Sequence, residues 1–424
     1  MLAPLRRHDF ALLWTAGLVS VAGDFVLFAA LPIHVFALTG SAVATAGVFV
    51  AGLAPQIVLG SVAGVFVDRW DRKRTMVAAN LVWAAALLPL LLVAGADDLW
   101  IVYAVRAASG AIGTFFRPAE SALLPRLVGR ELIAPANALN ALNNNLGRLV
   151  GPAVGAALYA RFGLGAAVLA DVVTFIVGAV LVALIRAHGR PEPGSGAGAV
   201  PGGSAFGRVV GEWRAGLRLV AGDRVLATVF GAMAVGFVAE GTFEAGITPL
   251  AVDELAVGVA GLAVLISAQS VGGLIAGAVV AASAARIAPR ALFVGSLIGC
   301  GLADLGFANA GTLAGPGTGA LVVGTVFMVL AGVPFVALQT AETTIVQERT
   351  EDVFRGRVFG ALGAIGGLAT LAGLLIGGPA VDAFGAAPVM TVGAAMWIVG
   401  GLVALARLPQ GAAARRPAAA PLRE

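Results

Sequence analysis

From the amino terminus onward the chain alternates apolar runs of roughly 20 residues with short clusters of charge, glycine or proline. A run of that length, wound as a helix, crosses the ~30 Å hydrocarbon core of a bilayer, whereas a helix in a soluble fold needs only an apolar stripe. Runs bounded this way predict spans near 10–38, 41–67, 75–95, 99–116, 136–160 and 163–185. Six more are predicted near 225–251, 257–284, 291–311, 317–341, 357–381 and 386–407. The expected fold is therefore all-α and integral to a membrane, with twelve transmembrane helices. The run from Phe10 is too long for the core of a cleaved leader and reads as an uncleaved first span.

One long polar stretch interrupts the alternation. Pro191, Glu192, Pro193, Gly194, Ser195 and Gly196 begin a Pro/Gly/Ser segment of linker composition. It leads into Phe206, Val209, Trp213 and Leu217 interleaved with Arg208, Arg214 and Arg218, a pattern that fits either an amphipathic helix on a membrane surface or a plain hinge. The expected organisation is a six-helix bundle over 1–188, a central linker over 189–222, a second six-helix bundle over 223–408 and a tail over 409–424. Weak echoes relate the halves: Gly64 to Arg74 resembles Gly277 to Arg290, and Gly147 to Gly155 has a glycine-rich counterpart in Gly360 to Gly378. Such a repeat suits a transporter in which one half rocks against the other around a central site.

Charge fixes the expected orientation. With the N-terminus inside, Arg6, Arg69, Lys73, Arg126, Arg290 and Arg355 all fall on the inner side, while Arg161 falls outside among Asp97, Asp98, Asp253, Glu254 and Asp382. The positive-inside rule then places both termini in the cytoplasm and the protein in the cytoplasmic (inner) cell membrane. Composition agrees with lipid as solvent: 59% of residues are apolar and 12% charged, against roughly 45–50% and 25% in soluble proteins. The 59 glycines suit close helix packing in a membrane. The net charge of +4 is spread over loops without a basic, aromatic-interleaved patch, so nucleic acid is not an expected partner. Cys300 is the single cysteine and His8, His34 and His188 are far apart, which argues against a disulfide framework, a metal site or a cofactor. HExxH, GxSxG and phosphate-loop motifs are absent, so neither an enzyme nor an ATP-driven pump is expected.

Three motifs carry chemistry. After the second span, Gly64 allows close helix contact, Asp68 offers hydrogen-bond acceptors to a helix end or an arginine, and Arg69, Arg72, Lys73 and Arg74 form a basic cluster. In the fourth span Arg106, Gly110 and Gly113 share one helical face, and a charge at that depth must face protein or a water-filled cavity. In the fifth, Gly147, Gly151 and Gly155 make a groove beside Arg148, and Pro152 weakens the local ladder. Together these resemble the signature loop, the buried-arginine motif and the antiporter motif of the major facilitator superfamily. Gly23-Asp24, Leu31-Pro32, Arg117-Pro118-Ala119, Ala136-Asn137-Ala138-Leu139 and Arg355-Gly356-Arg357 extend the resemblance to its drug and siderophore exporters, similar to macrolide-efflux and enterobactin-export proteins. The second basic loop, Arg286 to Arg290, departs from the pattern in lacking an Asp-Arg pair.

The resemblance implies a secondary transporter with alternating access that exports hydrophobic small molecules by proton antiport, as a monomer, with a siderophore exporter as the alternative and a non-transporting receptor or assembly factor further off. It also implies that the fifth-span groove packs against the opposite half, and that spans 1, 4, 7 and 10 line the cavity. Asp24, Arg106 and Arg148 are then the proton-coupling candidates, with Asp24 either exchanging partners or held in a static pair with Arg148. Phe28, Glu240 and Glu244 are the substrate-cavity candidates. Asp171 and Asp304 are less favourably placed in that scheme.

Overall fold

The structure, a computed structural model, describes residues 2–67, 69–187, 189, 205–283 and 287–409. Among these there is no strand. The first half comprises α1 (His8–Thr39), α2 (Ala42–Val67), α3 (Arg72–Leu87), α4 (Leu99–Val128), α5 (Ile133–Phe162) and α6 (Leu164–Ala183). A connecting helix α7 (Ala205–Gly222) follows. The second half comprises α8 (Arg224–Pro249), α9 (Gly258–Ser283), α10 (Pro289–Ala308), the short α11 (Ala310–Ala314), α12 (Thr318–Arg349), α13 (Asp352–Phe384) and α14 (Ala386–Arg407).

Eleven of the described helical segments are long and apolar enough to cross a membrane. α5, although 30 residues long, is not among them, because Asn140, Asn143, Asn144 and Arg148 lower its hydropathy. It nevertheless lies along α1 and against α9, in the position of a twelfth span. α4 continues well past the predicted end at 116, to Val128, despite Pro118 and Pro125. Arg117 and Arg126, taken from the sequence as loop cations, are therefore helical.

The two halves repeat one packing scheme. α1 on α5, α1 on α6, α2 on α4, α3 on α4 and α3 on α6 recur as α8 on α13, α8 on α14, α9 on α12, α10 on α12 and α10 on α14. Small residues make these crossings. A Cβ on Gly147, Gly151 or Gly155 of α5 would collide with Val21, Phe25 or Val26 of α1, and one on Gly373 or Gly377 of α13 would crowd Val238 or Thr242 of α8. The expected role of the fifth-span groove is corrected here: it packs against α1 of its own half. Arg148, one residue on from Gly147, sits about 100° around the helix and so faces α9 instead. Between the halves, α2 lies on α13 and α5 on α9. The stretch after the linker forms the helix α7, whose Gly216 lies against the Arg357 carbonyl near the start of α13.

The basic cluster after α2 is divided by its surroundings. Asp71 caps α3 by accepting from the Arg74 amide at 3.0 Å. Arg72 is buried at 8% exposure and its amide donates to the Gly189 carbonyl at 3.0 Å. Lys73 Nζ donates to the Ile185 carbonyl at 2.6 Å, just past the C-terminus of α6. Arg69 and Arg74 are exposed. Gly64 is in the last turn of α2, and Asp68 lies outside the described residues. A lysine on the carbonyls at a helix end contributes about 1 kcal/mol. Lys73→Met is thus expected to lower the melting temperature of the purified protein by a few degrees, and an unchanged melting curve would show that this contact contributes no stability.

Candidate functional site: a polar cavity in the first half

The end of the bundle that carries Arg69, Lys73 and Arg74 is called here the basic end, and the end with Asp98, Glu254 and Asp382 the acidic end. A cavity of about 650 Å³ reaches from mid-bundle, at Phe28 and Gly52, to the basic end, at Leu13, Ser121 and Asn140. Asp24, Arg106, Arg117 and Glu120 line it together with the amides Gln56, Asn80, Asn140, Asn143 and Asn144. So much polar surface within apolar spans is costly unless the groups face one another or water. Buried Arg106 Nε, Asn80 Oδ1 and Asn143 Oδ1 have no partner among the described residues, so their hydrogen-bonding capacity is available to whatever fills the cavity.

Two glycines make the centre of this site. A Cβ on Gly110 of α4 would strike the Gly52 carbonyl of α2, so the two helices touch backbone to backbone, and a Cβ on Gly52 would occupy the place of the Arg106 guanidinium. That contact lays Arg106 across α2 in the electrostatic field of Asp24, Asp171 and Glu244. On α1, the space a Gly23 side chain would need is taken by Asp171 Oδ1 and Thr174 Oγ1 of α6. Asp171 is 2% exposed and accepts a hydrogen bond from Thr174 at 3.0 Å, beside Asp24 in the next position of α1. The centre of the first half therefore gathers Asp24 and Asp171 within the electrostatic reach of Arg106, with Arg117 a second cation acting on Asp24.

Several sequence-derived placements change. Arg148 makes no ion pair with Asp24; its Nη2 donates to Gln269 Oε1 of α9 at 2.7 Å and its guanidinium lies 5.6 Å from the Phe335 ring centre. It thus bridges the halves, in the field that also reaches Glu240 and Glu244 of α8. Glu240 faces a separate small pocket inside the second half, with Phe243, Gln269, Asp304 and Trp397. Phe28 lines the main cavity and stacks edge-on with Phe25 and Phe49. Asp171, ranked low from sequence, lies at the centre. Gly23 was read from the sequence only as part of the Gly23-Asp24 pair, and Gly52, Glu120 and the three asparagines of α5 were not singled out; the run Asn143-Asn144-Asn145 inside an otherwise apolar stretch was the available signal.

The acidic end is closed across the halves. Asp382, near the end of α13, accepts hydrogen bonds from Ser41 Oγ at 2.8 Å, the Ala42 amide at 2.5 Å and the Val43 amide at 3.2 Å, and so caps the first turn of α2. Gly40 makes this approach possible: its φ of 62° ends α1 in a left-handed turn that delivers Ser41 to the carboxylate. Below the cap, Gly378 lies against Ala42, Val43 and Ala46 with no side chain between the backbones.

A sequence profile of the Major Facilitator Superfamily matches residues 13–374. The chain belongs to the major facilitator superfamily. Membership accords with the membrane-crossing length and apolarity of its helices. Macrolide efflux protein A of Streptococcus pyogenes is 31% identical over 182 residues, which cover 42% of this chain and 45% of that protein. The chain thus spans about half the length of the macrolide efflux relatives it matches. The multidrug efflux pump Tap of Mycolicibacterium fortuitum is 28% identical over 392 residues, covering 90% of this chain and 91% of the pump. Among solved structures, the nucleoside transporter NupG aligns with a TM-score of 0.75 at 12% identity, over 95% of this chain and all of that one. A bacterial homologue of the iron transporter ferroportin, in an inward-facing state, aligns with a TM-score of 0.71 at 15% identity, over 96% and 99% of the two chains. At these identities the structural likeness establishes this facilitator's fold alone.

Proposed function

We propose that this facilitator exports hydrophobic small molecules, drugs or secondary metabolites, in exchange for protons, with alternating access between the two ends of the bundle. One observation carries the reading: a polar cavity reaching the basic end is built around Asp24, Asp171 and Arg106, while the acidic end is closed. In the proposed orientation the basic end and both termini face the cytoplasm, because Arg69, Lys73 and Arg74 gather at one end and Asp98, Glu254 and Asp382 at the other. The structure then corresponds to a cytoplasm-facing state in the cytoplasmic membrane, ready to collect a substrate. The efflux direction and substrate class also draw on the named functions of the macrolide and multidrug relatives.

In this mechanism Asp24 and Asp171 share Arg106. Asp24, Asp171 and Arg106 as a group carry one net negative charge, which a single bound proton cancels and which Arg117 offsets in part from nearer the basic end. Proton arrival at Asp24 releases its hold on Arg106, and a substrate entering the cavity competes for the same polar groups. Phe25, Phe28 and Phe116 supply apolar wall for a hydrophobic molecule. The test is proton release from acid-loaded inverted vesicles containing the protein, followed with a pH-sensitive dye while drugs and siderophores are added in turn. A hydrophobic drug is expected to collapse the gradient within seconds. A siderophore alone doing so would replace the substrate class, and labelled drug crossing with no proton movement would exclude antiport.

A further inference from the structure

The lipid-facing side of the first half carries a groove of about 570 Å³ between α3 and α4. Its floor is Ala78, Ala79 and Val82 of α3 with Ile112 and Phe115 of α4. Its mouth, at the basic end, is formed by Arg69, Trp70, Arg74 and Thr75. From Thr75 to Val82 the groove runs about 10 Å along α3, into the depth where acyl chains lie. Trp70 is 45% exposed and stacks on Phe115 with ring centres 5.9 Å apart, so an amphipathic ring marks the boundary between mouth and floor.

The four basic residues of the loop are not equivalent. Arg72 is turned inward and Lys73 is committed to the Ile185 carbonyl, whereas the side chains of Arg69 and Arg74 have no hydrogen bond or ion pair among the described residues. Asp71 is the acid among the lining residues, and its Oδ1 is turned to the start of α3, where it accepts from the Arg74 amide. The internal repeat supplies a comparison. The equivalent groove of the second half, between α10 and α12, has a similar volume of about 610 Å³ but is lined by Ile287, Leu292, Leu302, Phe327 and Leu330, with no charged residue among the described ones; Arg286 lies outside them. There Arg290 donates instead to the Leu405 carbonyl at 2.7 Å. Among the described residues, only the α3–α4 groove thus shows unpaired arginines above its apolar floor.

We propose that the α3–α4 groove is a binding site for an anionic phospholipid, its phosphate held by Arg69 and Arg74, its glycerol region beside Trp70, and one acyl chain lying over Ala78, Val82 and Ile112. Free guanidinium groups favour phosphate through paired N–H donors, and a chain in the groove covers apolar surface already at membrane depth. This site is independent of the transported substrate and of proton coupling.

The experiment is native mass spectrometry of the full-length protein titrated with equal amounts of palmitoyl-oleoyl phosphatidylglycerol and phosphatidylcholine. At about one order of magnitude per basic residue or somewhat less, the wild type is expected to retain the anionic lipid roughly 10- to 30-fold more than the zwitterionic one. Arg69→Gln with Arg74→Gln should bring that ratio to within about twofold while the melting temperature stays put, since both side chains are exposed. Val82→Trp, which fills the floor and leaves the charges intact, should reduce retention of the anionic lipid several-fold. A preference that survives the double arginine variant, or that Val82→Trp leaves untouched, overturns the site. Displacement of the lipid by soluble glycerol phosphate would assign the arginines to a free phosphate instead and would overturn the lipid.

Discussion

Arg106→Leu is expected to abolish transport and to remove about 3–5 kcal/mol of stability, the customary consequence of leaving a buried charge without its partner. Arg106 is the cation common to Asp24 and Asp171, and its guanidinium occupies the space over Gly52 that a Cβ would otherwise take. Without it, Asp24 retains Arg117, and Asp171 retains only the Thr174 hydroxyl. Stability and transport should then part company in a second variant. Arg106→Leu combined with Asp171→Asn removes one charge of each sign and the carboxylate left without a cation, so the melting temperature should recover by more than half while transport stays absent. Asp24→Asn alone leaves Arg106 beside Asp171 and should fold normally yet lose proton-coupled export. Melting curves on purified protein, with drug uptake into inverted vesicles, separate these outcomes. Near wild-type export by Arg106→Leu would remove the arginine from the mechanism, and near wild-type export by Asp24→Asn would remove the aspartate.

Most of the architecture was legible because a membrane imposes a length. Runs of roughly 20 apolar residues announce spans, and the basic and acidic loops announce two unlike ends. Arg106 with Gly110 was also legible, since a charge and a glycine on one face inside a span imply close packing around a polar group. What periodicity does not carry is which helices touch. Asp171 appeared remote from Asp24 because α6 was expected to stand away from the cavity; Gly23 removes the side chain that would have kept it away, and nothing in the spacing of α1 says which partner fills that gap. The α5 groove was assigned to the wrong neighbour for the same reason. A glycine face says that some backbone approaches closely, and only the packing identifies it as α1. Arg117 was read as a loop cation because the apolar run ends at 116, yet α4 continues through Pro118 to Val128, although proline supplies no amide hydrogen to its helix.

Asp382→Ala is expected to loosen the acidic end. The carboxylate accepts three hydrogen bonds from the first turn of α2, and loss of a helix cap costs about 1–2 kcal/mol. Because Asp382 belongs to the second half and Ser41, Ala42 and Val43 to the first, these bonds exist only while this end is shut. Their loss leaves each half intact and falls on the equilibrium between the halves, shifting the ratio of open to shut acidic ends by roughly 5- to 30-fold. Ala46→Cys reports it, because Ala46 is 3% exposed between Ala245 and Leu374 and becomes reachable from that side only when α2 and α13 separate. In a Cys300→Ser background, which removes the buried native thiol, a membrane-impermeant maleimide should label Ala46→Cys faster by that factor once Asp382→Ala is added. Asp382→Asn keeps one acceptor oxygen and loses the charge, so it should fall between the two. Equal labelling with and without Asp382→Ala would mean that the glycine contacts of α13 with α2, at Gly378 and Gly367, hold the end closed unaided. In that case Gly378→Val, which forces those backbones apart, should open it where the loss of the cap did not.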